Sequence, residues 1–393
     1  MASLALGLWA VAWTVYLTHH GGGSWHFFST GGQVLADLDD GTRAGLHVYA
    51  EHPVLQIGPV ALGIAWGLGQ VSGGNGLVAA EVTGLLAGAL VALLGVRLHT
   101  RLQRARGASA SPHSDLLVLM AIACFTPVWL YAAISAAHLD DILALTFCVV
   151  GVVLVVEDRP VWAGLALALA TDCKPWALPL VVVLLALSSR RDRATALVTA
   201  ALGIAAGWLP FFVADPHTVR ALHYTIVSSP LSGLHLFDPG ALRTPTWDRP
   251  LQTVLGAGLA GAAVWRRRPT GAVLLVMASR LALDPGAHRY YTAGLAAGAL
   301  LWDLTGPQHS WPRWSLAVLV GLHYARWVPA LNPLHAPALV VFAVLAVVAV
   351  LGPSRGATLV RDQLRPLVAR FRARQVTRSW NRLPSRTRPD RHT

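Results

Sequence analysis

The sequence predicts an all-α, polytopic membrane protein of about twelve transmembrane helices, within a range of about ten to thirteen. Three observations carry that prediction. Of 393 residues, 54% are hydrophobic and only 13% are charged, where soluble domains carry about 25% charged residues. Apolar runs close to the roughly 20 residues of helix that cross a hydrocarbon core recur from end to end, and mean hydropathy is +0.53. Arginines gather in alternate connections between those runs, as the retention of positive charge on the cytoplasmic side requires. Helix is the expected element because it satisfies its own backbone groups where no water can.

In order, the expected spans are 3–20, 77–97, 115–136, 139–157, 160–172, 175–188, 194–213, 250–265, 270–283, 290–304, 314–329 and 336–352. The short pair 160–172 and 175–188 reads as a tilted hairpin or a broken helix around Lys174-Pro175. Segment 55–71 is apolar too, yet a full span there would place the Arg97 to Arg106 cluster outside. Its glycines, Pro59, Gln56 and Gln70 suit a juxtamembrane helix on the outer interface instead. The first span is expected to be retained, since no basic stretch precedes it. Residues 1–352 thus read as a transmembrane domain with a large first external loop over 21–76, and 353–393 as a basic cytoplasmic tail.

Charge sets the expected orientation. Arg97, Arg101, Arg104, Arg106, Arg159, Arg190, Arg191, Arg193, Arg266, Arg267, Arg268, Arg313 and the tail put 23 of the 30 arginines on one side. Both termini are therefore expected in the cytoplasm of a plasma-membrane protein. The tail suits anionic membrane lipid, at about 1 kcal/mol per basic residue near the surface, with an interfacial helix over 357–375. No nucleic-acid partner is expected, because only Phe371 and Trp380 offer stacking there. Cys124, Cys148 and Cys173 all fall in apolar runs, so neither a disulfide framework nor a metal cluster is implied.

Chemistry is then sought on the opposite, acid-rich face. The only lysine of the chain, Lys174, sits in a membrane-length apolar stretch beside Asp172. A charge there costs roughly 2.5–3.5 kcal/mol even on lenient scales, so it normally faces a cavity and a partner. Asp172 and Lys174 can be a pair held for neutrality, or the lysine a phosphate ligand. The first loop supplies Asp37, Asp39, Asp40 and Glu51 as candidate general bases, with His26, His47, Tyr49 and His52 nearby; Asp39-Asp40-Gly41 reads equally well as a turn. His138-Leu139-Asp140-Asp141 opens a span, where one acid suffices as a cap and two exceed that need. Asp284 to Tyr291 is a tight external turn holding His288, Arg289 and Tyr290, either part of the candidate site or an interfacial anchor.

The order of these features resembles the GT-C superfamily of membrane glycosyltransferases, and within it the actinobacterial mannosyltransferase-like proteins that use polyprenyl-phosphate sugars. A first span precedes a large external loop; Tyr49 to Pro53 opens the juxtamembrane helix; a basic cluster follows the second span; His138 to Asp141 opens the fourth; and Ala170 to Leu178 resembles the family's Thr-Lys-Pro-Trp hairpin. The layout covers about residues 1–300. The resemblance implies an inverting hexosyltransferase with a polyprenyl-phosphate sugar, mannose foremost, as donor and a glycolipid or cell-envelope glycan as acceptor. Lys174 and Arg289 would then hold phosphate, and His138, Asp140 and Asp141 would organise the acceptor, the loop or a divalent cation. The family places a catalytic aspartate just after the first span, where this chain reads Ser24-Trp25-His26-Phe27-Phe28 without a carboxylate. That leaves the later first-loop acids, or His26, for the base role, or a non-catalytic scaffold. A secondary transporter is a further alternative, although no internal duplication is evident.

Overall fold

The structure, a computed structural model, describes residues 2–19, 21–36, 44–105, 107, 112–307 and 310–353. Asp37, Asp39, Asp40 and the tail helix expected over 357–375 lie outside the described residues. Regular structure among the described residues is helical, with one isolated antiparallel bridge, Val227 to Arg243. The main helices are α1 (Ala2–Thr18), α2 (Trp25–Ala36), α3 (Pro59–Val71), α4 (Gly76–Ala105), α5 (Pro112–Leu130), α6 (Leu139–Val156), α7 (Pro160–Cys173), α8 (Arg190–Ala214), α9 (Asp248–Trp265), α10 (Ala272–Leu283), α11 (Thr292–Thr305) and α12 (His335–Leu351). Between α7 and α8 runs a tighter, 3₁₀-wound stretch, Pro175–Ala186.

By length and composition five segments can each cross a membrane: Gly76–Ala105, His113–Ser135, Leu139–Val156, Arg190–Ala214 and Pro329–Leu351. The shorter apolar helices, α7 and the Pro175–Ala186 stretch among them, do not reach that length singly. The expected span 314–329 is divided into short pieces, Arg313–Leu316, Ala317–His323 and Tyr324–Trp327, rather than one straight helix. Its polar end, His323-Tyr324-Ala325-Arg326, is where the helix gives way. The first loop also differs from expectation, because it holds α2, and α3 starts only at Pro59, where a ring locked at φ near −65° suits the first helical position.

Burial ranks the helices from centre to rim. Every residue of α10 and α11 is buried, and 78% of the α6 span is, against 17% for α8. The rim helices turn apolar side chains outward, among them Leu86 and Leu93 on α4 and Leu202, Leu209 and Val213 on α8. An apolar exterior around an apolar core is what lipid, rather than water, accommodates. Small residues let the helices close up. Trp129 of α5 lies against Gly88 of α4, where a Cβ would come within 2.5 Å of its ring, and donates its indole N–H to the Gly84 carbonyl at 2.9 Å.

The bundle has two chemically distinct ends. At one, Arg97 and Arg101 of α4 converge on Glu157 after α6, while Arg266 and Arg268 donate to the last carbonyls of α12 at Leu351 and Val350. Cations there complement the negative end of that helix. The other end carries the start of α6, the end of α7 and the turn before α11.

Candidate functional site

Local sequence builds that second end. Tyr131–Ser135 widens the last turn of the helix begun by α5, and Ala137 adopts a left-handed φ of 46°, so the chain turns sharply before His138. Asp140 and Asp141 then fall in the first turn of α6, where carboxylates meet the positive end of the helix dipole. Pro175 disfavours a helical conformation for the residue before it, and Lys174 is extended at φ −152°, ψ 119°, which ends α7 and sends the lysine across to α6.

There Lys174 Nζ is ion-paired with Asp140 Oδ2, the lysine side chain 16% exposed and the aspartate fully buried. Trp176 donates its indole N–H to Asp141 Oδ1 at 2.7 Å. His138 Nε2 lies 3.5 Å from Asp140 Oδ1 and 3.3 Å from Asp141 Oδ2. His138 Nδ1 and Asp141 Oδ2 are buried without a hydrogen-bond partner, so each retains capacity for a further contact. Burial pushes the His138 imidazole below its ordinary value, against the opposing pull of Asp140 and Asp141.

The cluster extends through α10 and the following turn. Arg280 lies over the rings of Trp176 and Tyr291, at 5.1 and 4.9 Å, and its Nη2 is 3.4 Å from Asp284 Oδ2. Arg249 approaches the same oxygen at 3.9 Å. Asp284 Oδ1 accepts from the Gly286 N–H at 2.8 Å, which shapes the turn. His288 stacks on Tyr290 at 5.2 Å, and Tyr290 packs on His138 at 4.0 Å; burial lowers His288 as well.

The start of the first loop is fastened to this place. The N–H groups of Gly22, Gly23 and Ser24 donate to the carbonyls of Ile134, Ser135 and Ala136, and Phe28 of α2 meets His138 edge-on at 5.8 Å. Farther along, Gly58 N–H donates to the Cys173 carbonyl at 2.9 Å, docking the loop end beside Lys174.

Other expected residues stand apart. Asp172 does not pair with Lys174. It is buried at 2% exposure with Oδ1 lacking a hydrogen-bond partner, and its carboxyl faces Gly207 of α8. Two residues apart on one chain, these side chains diverge where the helix gives way to extended backbone. Tyr49 is buried, its hydroxyl donated to the Ile57 carbonyl at 2.8 Å and its ring against Trp208 and Phe211. Glu51, His52 and His26 are exposed, His26 against Phe27. His47 instead approaches Asp215 at 3.4 Å, and a backbone N–H from His217 holds the Asp215 carboxyl below its usual range.

Sequence reading passed over Trp176, Arg280 and Glu81. An arginine inside the apolar run 272–283 was as strong a signal as Lys174. Glu81 approaches Gly21, its Oε1 2.8 Å from where a Cβ would stand, beside the start of the first loop.

His138, Asp140 and Asp141 offer ligand atoms within 4.8 Å of one another, a spacing a divalent ion can bridge. The chain already supplies cations there, however. Lys174 pairs with Asp140, Arg280 and Arg249 both approach Asp284, and Asp141 accepts from Trp176. The three cysteines are unpaired and buried.

Comparison with known proteins gives one finding. The model of glycosyltransferase family 87 matches residues 59–283, which takes in α3 to α10 with His138, Asp140, Asp141, Lys174 and Arg280. Neither a curated protein nor a solved structure matches the chain.

Proposed function

The chain belongs to glycosyltransferase family 87, and from that premise we propose that it transfers a sugar, mannose foremost, from a polyprenyl-phosphate carrier to a hydroxyl of a glycolipid or cell-envelope glycan. The reaction takes place at the external face of the plasma membrane, with both termini cytoplasmic. One observation carries this reading: Lys174, Asp140, Asp141 and His138 converge at the end of the bundle opposite the arginine-rich end, against the start of the first loop. That end suits a substrate with a polar head and a greasy tail, since it adjoins helices with apolar rims. Intramembrane charge and several spans also suit a transporter, but membership of a transferase family favours the enzyme.

The chemistry follows from charge. A carboxylate removes the proton of the acceptor hydroxyl; that oxygen attacks the anomeric carbon with inversion, and the carbon–oxygen bond to the carrier phosphate breaks. The departing phosphate carries the electron pair and needs cations preorganised to receive it. The base is one of Asp37, Asp39, Asp40 or Glu51. Asp141, fixed by Trp176, and neutral His138 organise the acceptor. Lys174 orients Asp140 rather than meeting phosphate, because its ammonium is already engaged. Arg289 is left to face the leaving group.

The test is transfer from radiolabelled polyprenyl-phosphate mannose in membranes holding the full chain. Asp141→Asn and the amide replacement of the base residue should abolish transfer at unchanged protein levels. Undiminished turnover in Asp141→Asn and in all four loop variants would remove this mechanism.

A further inference from the structure

Arg280 is the one charged residue of α10, a helix buried along its whole length. Its guanidinium lies over two rings, 5.1 Å from the centre of Trp176 and 4.9 Å from that of Tyr291. Its Nη2 is 3.4 Å from Asp284 Oδ2, and its Nε is buried without a hydrogen-bond partner. The Trp176 indole is engaged twice: its face carries the guanidinium, while its N–H, at the ring edge, meets Asp141 Oδ1 at 2.7 Å. Tyr291 in turn packs edge-on against Tyr290 at 4.8 Å, and Tyr290 packs on His138 at 4.0 Å. One cation thus heads two sets of ring contacts, which end on Asp141 and on His138.

Charge is unevenly shared around that indole. Asp284 is approached by two arginines, Arg280 and Arg249, and the neighbouring Asp248 accepts from Gln252. Asp140 and Asp141 share one lysine, which pairs with Asp140. Among the described residues Asp141 has no lysine or arginine within ion-pair distance; its near neighbours are His138 and the Trp176 N–H. Trp176 therefore stands between a cation and a carboxylate that do not meet directly. A cation over an indole face draws ring electron density toward itself. That leaves the N–H more positive and a stronger donor to the ionised oxygen, in a bond already of the charge-assisted kind. Burial from water leaves the effect weakly screened. A guanidinium kept for neutrality alone is satisfied by Asp284, which leaves its seat on the ring that holds Asp141 unexplained.

We propose that Arg280 is a positioning residue for the transfer reaction: seated on the face of Trp176, it strengthens the indole N–H bond to Asp141 Oδ1 and so keeps Oδ2 turned to the acceptor hydroxyl. Oδ2 is the oxygen without a hydrogen-bond partner, 3.3 Å from His138 Nε2. Arg280 itself meets no reacting atom and acts through Trp176. Its consequence for turnover rests on the transferase reading, whereas the coupling through the indole stands without it.

Kinetics and a spectroscopic signature, both on the full chain in detergent, test this role. Arg280→Gln removes the charge while Arg249 stays beside Asp284. It should lower kcat about 10-fold or more and change the KM for polyprenyl-phosphate mannose less than about 2-fold, the split expected of an interaction that matters in the transition state. A raised KM with unchanged kcat would make Arg280 a substrate contact and overturn the positioning role. Arg280→Lys keeps the charge and should recover part of the loss; turnover no better than that of Arg280→Gln, at matching melting curves, overturns the electrostatic account. In a Trp176→Phe background, which lacks the donor, Arg280→Gln should cost kcat little more, because the two side chains act as one unit. Equal fold-losses in both backgrounds overturn the coupling. Should Arg280→Gln fail to fold, the same cycle with Arg280→Lys decides, its partial loss vanishing beside Trp176→Phe. The indole N–H resonance that Trp176→Phe removes should move upfield in Arg280→Gln as the bond to Asp141 weakens, and an unmoved resonance overturns the polarisation. An upfield shift, with no transfer from any prenyl-phosphate sugar by wild type, upholds the coupling and removes the transferase reading alone.

Discussion

Lys174 is ion-paired with Asp140, 34 residues earlier in the chain, and not with Asp172 two residues away. The contact ties the end of α7 to the first turn of α6 and places a cation beside the two adjacent carboxylates. Removing one partner of a buried pair leaves an uncompensated charge, a loss of about 3–5 kcal/mol. Lys174→Ala should therefore lower the melting temperature sharply and abolish transfer. Lys174→Met with Asp140→Asn should recover much of the stability but none of the activity. Thermal melts of both proteins in one detergent check this, and a Lys174→Ala protein as stable as wild type would contradict the pairing.

Trp176 is expected to act through Asp141. Its indole N–H occupies Asp141 Oδ1 and its ring carries Arg280. Trp176→Phe keeps most of the packing and removes the donor, at a cost of about 1–3 kcal/mol for the acceptor left buried. Turnover should fall more than carrier-lipid affinity, because Asp141 loses its orientation while the arginines are untouched. Equal falls in kcat and in carrier affinity would argue for a general packing role.

Much of this site could be read from residue order, and the remainder could not, for physical reasons. His138-Leu139-Asp140-Asp141 announces itself because two acids after a histidine exceed a capping need, and an ammonium in an apolar run demands a partner. The identity of that partner was hidden: sequence proximity suggested Asp172, but Pro175 ends the helix at Lys174 and separates the two side chains. Arg280 obeyed the same rule as Lys174 and was obscured only by the arginine-rich composition. Span counting was least secure where hydropathy is interrupted, as at His323 to Arg326, since a run can be apolar on average and still yield to polar groups that seek partners.

Gly207 of α8 should resist any side chain. A Cβ there would lie 2.7 Å from Asp172 Cγ and under 3 Å from both carboxylate oxygens. Gly207→Ala is expected to destabilise by about 1–3 kcal/mol through overpacking. Asp172→Ala should relieve that strain, so the double variant should be more stable than the sum of the two single effects predicts. Strict additivity in melting experiments would mean that the two groups do not touch.

Chelation should leave the enzyme working. Although His138, Asp140 and Asp141 are spaced for a divalent ion, Lys174 already neutralises Asp140, and a metal would have to displace an ammonium from a buried carboxylate. Transfer is expected to be unchanged after treatment with EDTA. Loss of activity restored by magnesium or manganese would reverse the assignment and make Lys174 a gate to the metal site.

Acid should weaken the fold through its buried imidazoles. Burial lowers His138 and His288 from the ordinary imidazole value, about 6.5 in the unfolded chain. Above that pH both groups are neutral in either state and the full stability is present. As pH falls through about 6.5 the unfolded chain takes up protons first, so stability declines until the lowered folded values are passed. The melting temperature should thus fall between about pH 7 and pH 5, and His138→Gln with His288→Gln should flatten that slope, because the replacement amides do not titrate there. The residual slope in the double variant measures the other histidines and the carboxylates together. A slope identical to wild type would place the acid sensitivity outside this site.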